Sequence, residues 1–87
     1  MYLHIGQETV VPMKEIVGIF DMENTTVSKH TRVFLNEAQR RGWVITVGDD
    51  LPKSFVVCQK ADAPPTVYIS QISCATLLKR AECFRSI

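Results

Sequence analysis

The sequence has few of the residues that usually stabilise very small domains or bind cofactors in them. It contains three cysteines and two histidines, with no Cys-x-x-Cys pair and no histidine at metal-ligand spacing. The cysteines, Cys58, Cys74 and Cys83, are odd in number and lie within apolar patterns, which is typical of buried, reduced thiols. We therefore expect no disulfide, no metal site and no cofactor.

The sequence also lacks the features that would indicate a membrane or secreted protein. No apolar run approaches the roughly 20 residues that span a bilayer. The first residues, Met1 to His4, provide neither the basic nor the apolar region of a signal peptide. These absences predict a cytoplasmic protein that does not enter a membrane.

Motifs for catalysis and nucleotide binding are missing as well. The four glycines are isolated, so no phosphate-binding loop and no small-molecule ligand is indicated. Nothing marks His4 or His30 as the base of a nucleophilic site. The adjacent acids Asp49 and Asp50 lie in a Gly/Pro-containing segment, where such residues usually form exposed turns. The sequence therefore predicts a binding protein rather than an enzyme.

The length and charge limit how such a protein could work. With 87 residues, positions 1–87 form one domain, and a chain this short buries only about 60–65% of its unfolded surface. Because disulfides and metals are not expected, oligomerisation remains as the source of additional stability. The formal net charge is only +1, so nucleic-acid binding would require basic residues clustered on one face or multiplied by assembly.

The hydrophobic pattern predicts an α+β fold, a small and mostly antiparallel sheet with one central and one C-terminal helix. Strands are predicted at residues 2–5, 9–11, 16–20, 43–47, 54–59 and 66–71. The near-continuous apolar run at 16–20 predicts burial on both faces. Residues 43–71 are predicted to form a two- or three-stranded antiparallel unit, in which Val67 and Ile69 face one side and Tyr68 the other.

Two amphipathic segments predict the helices. The first spans about residues 26–41, with Asn24, Thr25 or Thr26 as its cap and Gly42 as the left-handed residue after it. Its apolar stripe, which would bury Phe34 against the sheet, comprises Val27, Thr31, Phe34, Leu35 and Ala38. The second helix begins after Ser73 as cap, and its stripe comprises Cys74, Leu77, Leu78 and Ala81.

The basic residues have two interpretations that the pattern leaves open. They are Lys14, Lys53 and Lys60 near turns, Lys29, Arg32, Arg40 and Arg41 on the first helix, and Lys79, Arg80 and Arg85 on the second. A solvated surface with favourable charges at helix ends explains them without any ligand. Phosphate binding explains them too, and the pattern alone does not choose between the two.

The order and spacing of several short segments resemble the RemA/RemB family of small bacterial regulators of extracellular-matrix (biofilm) genes, and the RemB branch more closely. The resemblance runs from about residue 2 to residue 81. It rests on Ile5-Gly6, on the strand at 16–20, on residues 37–42 closing the first helix, on Pro52-Lys53-Ser54 leading into Phe55-Val56-Val57, and on residues 73–80.

The resemblance implies a DNA-binding transcriptional regulator that assembles with itself into closed rings and holds double-stranded DNA on basic residues repeated around the ring. Members carry an arginine pair in the turn before the Val-Val strand, where this chain has Asp49 and Asp50 followed by Lys53. They carry another arginine at about Glu15, beside Lys14. We therefore take Lys53 as the first candidate contact and Lys14 as the second, in turns expected to neighbour each other.

Arg40 and Arg41 are weaker candidates for the same site because helix capping already explains them. The acidic pair in the expected contact turn supports an alternative function. In that alternative the protein is an oligomeric interaction module that modulates a related regulator without binding DNA itself.

Overall fold

The computed structural model describes residues 1–22 and 29–85, without the side chains of 83–85. Within these residues the strands are β1 (Tyr2–Gly6), β2 (Thr9–Pro12), β3 (Ile16–Asp21), β4 (Val44–Thr46), β5 (Ser54–Cys58) and β6 (Thr66–Ser70), and the α-helices are α1 (Lys29–Arg40) and α2 (Cys74–Arg85). A short 3₁₀ turn, Met13–Glu15, connects β2 to β3. The predicted α+β class, with one central and one C-terminal helix, is confirmed.

The strands form two sheets. β1 and β2 make an antiparallel hairpin, and the other four strands form a sheet in the order β3-β5-β6-β4. β5 pairs antiparallel with both β3 and β6, as predicted for β5 and β6, and the predicted facing of Val67, Ile69 and Tyr68 is confirmed. The antiparallel prediction is wrong for β4, which pairs parallel with β6. After β4, the N–H of Val47 donates to the carbonyl oxygen of Ile69 (2.8 Å) on one side of β6. Before β5, the N–H of Lys53 donates to the carbonyl oxygen of Ser70 (2.9 Å) on the other side, so the chain between them crosses the end of β6.

The four-stranded sheet is covered on both faces. One face packs on the β1–β2 hairpin and α2 through a cluster that contains Leu3, Ile5, Val11, Val47, Val56, Cys58 and Leu77. The other face packs on α1 through Ala38, Phe55, Val57 and Val67. The sheet therefore lies between two layers, with the β1–β2 hairpin and α2 on one face and α1 on the other, and a separate apolar cluster joins it to each.

The strand that is buried on both faces is β5, not the strand predicted at 16–20. All five residues of β5 are buried. β3 lies at the edge of the sheet, and Val17 and Phe20 remain 68% and 43% exposed. A register shift between Ile16 and Gly18 displaces Val17 from the regular alternation. A continuous apolar run is therefore compatible with an edge strand, and its burial was predicted wrongly.

The described part of α1 confirms its apolar stripe. Ala38 is fully buried, and Phe34 and Leu35 pack on the same cluster. Phe34 is only half-buried, which is less than predicted, because it lines an open groove beside β3. Gly42 adopts the predicted left-handed conformation, with φ of 78°. The predicted helix start at 26, its caps and Val27 lie outside the described residues.

α2 begins as predicted and packs more narrowly than predicted. The N–H of Thr76 donates to Oγ of Ser73 at 3.2 Å, which is the expected N-terminal cap. Leu77 is fully buried, whereas Leu78 is 44% exposed and lines a groove beside β3. The stripe that reaches the core is therefore centred on Leu77.

Candidate nucleic-acid interface

The two leading candidate residues lie at opposite ends of the four-stranded sheet. Lys14 comes just before β3 and Lys53 just before β5, and these strands run antiparallel with Ile16 opposite Cys58 and Asp21 opposite Ser54. A separation of about 20 Å follows from the rise per residue along β5. The prediction of neighbouring turns is therefore wrong. We call the two places the Lys14 end and the Lys53 end of the sheet.

Arg40 and Arg41 also lie at the Lys14 end, but near the opposite edge of the sheet, beside β4 and β6. β4 and β6 both start at this end, and Trp43 connects α1 to them by donating its N–H to Ala38 and accepting the N–H of Val67, both at 2.9 Å. The guanidinium of Arg41 lies over the Trp43 ring, 5.3 Å from its centroid. Three of the four candidates are thus brought to one end, spread over the width of four strands.

One carboxylate partly neutralises both arginines. Glu37 accepts hydrogen bonds from Arg40 (Nη2 to Oε1, 2.5 Å; Nε to Oε2, 3.2 Å) and from Arg41 (Nε to Oε1, 2.7 Å). The hydrogen bonds from Arg40 and then Arg41 lower the pKa of Glu37 to about 2. Since Glu37 is ionised at any physiological pH, this cluster of three residues contributes one net positive charge rather than two.

At the Lys53 end, acidic residues surround Lys53, the one predicted DNA contact at that end. The backbone of Lys53 is fixed, because its N–H donates to Ser70 and its C=O accepts from Met22, both at 2.9 Å. Its side chain is exposed. Asp49 and Asp50 precede it in the same turn, and Asp21 lies opposite the next residue, Ser54. An approaching phosphate would therefore meet both attraction and repulsion at this end.

Gln71 holds the acidic turn in place. With its amide oxygen facing the turn, it accepts the backbone N–H groups of Asp49 and Asp50, each at 2.5 Å. Gly48 permits this contact because its φ is 90° and because a Cβ there would lie 1.9 Å from the Gln71 amide. The acidic turn is thus held in a specific, hydrogen-bonded conformation.

Lys60 was not among the predicted site residues, and the structure places it with Lys14. Lys60 is the second residue after the end of β5, and it lines the same open groove as Lys14. The sequence signal was weak, since Lys60 and Lys14 are 46 positions apart and only the pairing of β3 with β5 brings them together. The pattern alone gives no reason to choose Lys60 over the other surface lysines.

Comparison with known proteins identifies the family. A family described as RemA-like, extracellular matrix regulatory protein A-like, matches residues 2–81. The curated protein called extracellular matrix regulatory protein B, from Bacillus subtilis strain 168, is 35% identical over 82 residues, which is 94% of this chain and 91% of that protein. The chain belongs to the RemA-like family. The resemblance noted from the sequence is confirmed over nearly its whole length.

The family is described by regulation rather than by catalysis, which is consistent with the prediction of a binding protein. Within residues 1–22 and 29–82, no three His, Cys, Asp or Glu side chains are placed to share a metal ion. No described helix is long and apolar enough to cross a membrane. The predicted lack of a cofactor stays a prediction.

The cysteines behave as apolar residues where they are described. Cys58 is buried, and this burial, together with the charge of Glu15, raises the pKa of its thiol to about 11. Cys74 is half-buried, and its thiol faces the carbonyl oxygen of Ile19 at 3.8 Å. Both are free thiols, and the side chain of Cys83 lies outside the described residues. Thiols of raised pKa are poor nucleophiles and poor metal ligands.

Proposed function

We propose that this protein is a cytoplasmic, homo-oligomeric regulator of extracellular-matrix genes that binds double-stranded DNA through a ring of identical subunits. The observation that carries this proposal is membership of the RemA-like family over residues 2–81, together with 35% identity to a protein named for extracellular matrix regulation. DNA binding and ring formation come from the resemblance to that family. The charge distribution and the exposed surface of the subunit support them as follows.

Exposed cations support DNA as the partner. Lys14, Lys53 and Lys60 are exposed, and among the described side chains none of the three forms an ion pair with a carboxylate. Two or three such contacts on one subunit would hold DNA weakly. In a ring the same contacts are repeated, and each further contact after the first is intramolecular. A domain with a net charge of +1 can therefore bind DNA usefully once it is assembled.

Open sheet edges support self-association. β3 and β4 are the two outer strands of the four-stranded sheet, and apolar side chains are exposed on both, Val17 and Phe20 on β3 and Ile45 on β4. Unpaired strand edges with apolar side chains readily pair with another chain. Because the two edges differ and lie on opposite sides, joining one to the other in successive subunits gives the head-to-tail contact from which closed rings are built.

A specific observation favours the second candidate function, an oligomeric interaction module that modulates a related regulator. In the turn where the resemblance implies an arginine pair, this chain presents Asp49 and Asp50, and Gln71 fixes that turn. An acidic turn would bind the basic surface of a related protein better than it would bind DNA.

A gel shift of matrix-gene promoter DNA with the purified protein separates the two candidates. Retardation that weakens as salt increases supports the DNA-binding regulator. If the assembled protein leaves the DNA unshifted at low salt but binds a purified basic RemA-like protein, the interaction module is the correct function.

A further inference from the structure

An open groove at the Lys14 end brings two lysines together from distant parts of the chain. Ile16 pairs with Cys58, so the residues just before β3 and just after β5 meet at this end. The groove is about 510 Å³ in volume and is lined by Lys14, Glu15, Gln59, Lys60 and Ala61. Lys14 and Lys60 are both exposed. Two ammonium groups can therefore reach into the same solvent-filled space.

The backbone that carries these lysines is held by hydrogen bonds. The N–H of Gln59 donates to the carbonyl oxygen of Glu15 at 2.8 Å, which extends the β3–β5 ladder beyond the strands themselves. The side-chain amide of Gln59 donates to the carbonyl oxygens of Lys60, at 3.0 Å, and of Ala63. Since Glu15 and Gln59 are the immediate neighbours of the two lysines, the backbone beside both lysines is hydrogen-bonded before any ligand binds.

The charges in the groove favour an anion. Among the described residues neither lysine has a carboxylate within ion-pair distance, in contrast to Arg40 and Arg41, which share Glu37. Glu15 is the acidic residue of the lining, and its charge contributes to raising the pKa values of Cys58 and Tyr68. Within the part of the chain that the structure describes, the groove therefore contains two cations without an ion-pair partner and one anion, Glu15.

We propose that Lys60 and Lys14 form a phosphate-binding subsite that contacts the DNA backbone, with Lys60 as a contact residue additional to the four predicted from the sequence. This rests on the proposed function, because the phosphates are those of the bound DNA. Lysines bind phosphates as point charges, so the subsite contributes affinity without reading the base sequence. In a ring each subunit that faces the DNA adds the same pair of contacts.

The test compares three lysine variants for binding to one promoter DNA at two salt concentrations. Lys60→Glu should lower the affinity by about tenfold or more at low salt, because each subunit loses one phosphate contact and gains a repelling charge. Lys60→Gln should reduce the salt slope by about 0.9 for each subunit that touches the DNA. Lys79→Glu is the matched control, since Lys79 is an exposed lysine on α2 and its replacement changes the charge equally. Its affinity should stay within about twofold of the parent.

Sedimentation velocity and thermal melting of each variant show whether the assembly and the fold are intact. Parent-like affinity of an intact Lys60→Glu oligomer overturns the subsite and leaves the proposed function standing. Equal losses in Lys60→Glu and Lys79→Glu also overturn it, because the effect would then come from net charge alone. A parent protein that binds no DNA at low salt overturns the proposed function, and the subsite fails with it.

Discussion

Arg41 donates its Nε–H to the Glu37 carboxylate at 2.7 Å, one helical turn before it on α1. The same carboxylate accepts two hydrogen bonds from Arg40. Arginines at a helix C-terminus are expected from the helix dipole, but the dipole does not require a carboxylate between them. Whether Arg40 and Arg41 contact DNA therefore depends on how far the Glu37 carboxylate neutralises their positive charge.

Replacing Glu37 by Gln should strengthen DNA binding. The substitution keeps the size of the side chain, removes one negative charge and leaves both guanidinium groups free for phosphates. We expect the affinity at low salt to rise by about two- to fivefold, the size of an exposed ion pair. Glu8→Gln in the exposed β1–β2 turn makes the same charge change away from the arginines and serves as the control. Equal increases in the two variants would show that Arg40 and Arg41 take no part.

The pH dependence of stability should carry a signature of the same carboxylate. The pKa of Glu37 is lowered from 4.5 to about 2 by hydrogen bonds from Arg40 and Arg41. A carboxyl group with a depressed pKa in the folded state stabilises the fold above about pH 4.5, and this contribution is lost as the pH falls towards 2. Melting temperatures measured across this window should therefore fall more steeply for the parent than for Glu37→Gln. Parallel curves would contradict the assigned hydrogen bonds.

Core substitutions should separate the buried centre of the layer between the sheet and α1 from its open edge. Phe55 is 1% exposed and stacks on Phe20 with ring centroids 4.9 Å apart, so Phe55→Ala should cost about 3–5 kcal/mol in the free energy of unfolding. Phe34 is half-buried beside an open groove, and Phe34→Ala should cost about 2 kcal/mol. Urea denaturation measures both. A cost for Phe34 equal to that for Phe55 would mean that the groove is closed in solution.

The helices and strands of this fold were predicted from the sequence more accurately than the pairing of the strands. The apolar stripe of α1, the Ser73 cap and the left-handed Gly42 depend on residues within a few positions of one another, and all three are confirmed where described. The α2 stripe is confirmed at Leu77 but not at Leu78, which is 44% exposed. The position of β3 at the sheet edge and the parallel pairing of β4 depend on which strands meet across the chain. Hydrophobic periodicity contains no direct information on that pairing.

The candidate site shows the same limit. Lys14 and Lys53 each precede a strand, and only the antiparallel register of β3 with β5 shows that they are far apart and that Lys60 is the neighbour of Lys14. The ion pairs of Glu37 were accessible from the sequence, since Arg40 and Arg41 follow it by three and four positions, the spacing of neighbours on a helix.

Assembly should depend on the exposed edge of β3. Val17 is 68% exposed between two grooves, and a carboxylate there would be buried without a partner if another chain covers the edge. Val17→Glu should therefore shift the sedimentation profile towards smaller species. Val33→Glu is the matched control, because Val33 is 60% exposed on α1. An unchanged oligomer in Val17→Glu would move the contact to another surface.

The affinity of the intact oligomer for matrix-gene promoter DNA, titrated at several salt concentrations, tests the central claim most directly. The account predicts tight binding at low salt and a logarithmic slope steeper than the value of about 2 expected for two phosphate contacts on a single subunit. Lys53→Glu and Lys14→Glu should lower the affinity while oligomer size and melting temperature stay unchanged, because exposed charges contribute little to stability. Normal affinity in either intact variant would remove that lysine from the site. An intact oligomer that binds no DNA at low salt would contradict the account.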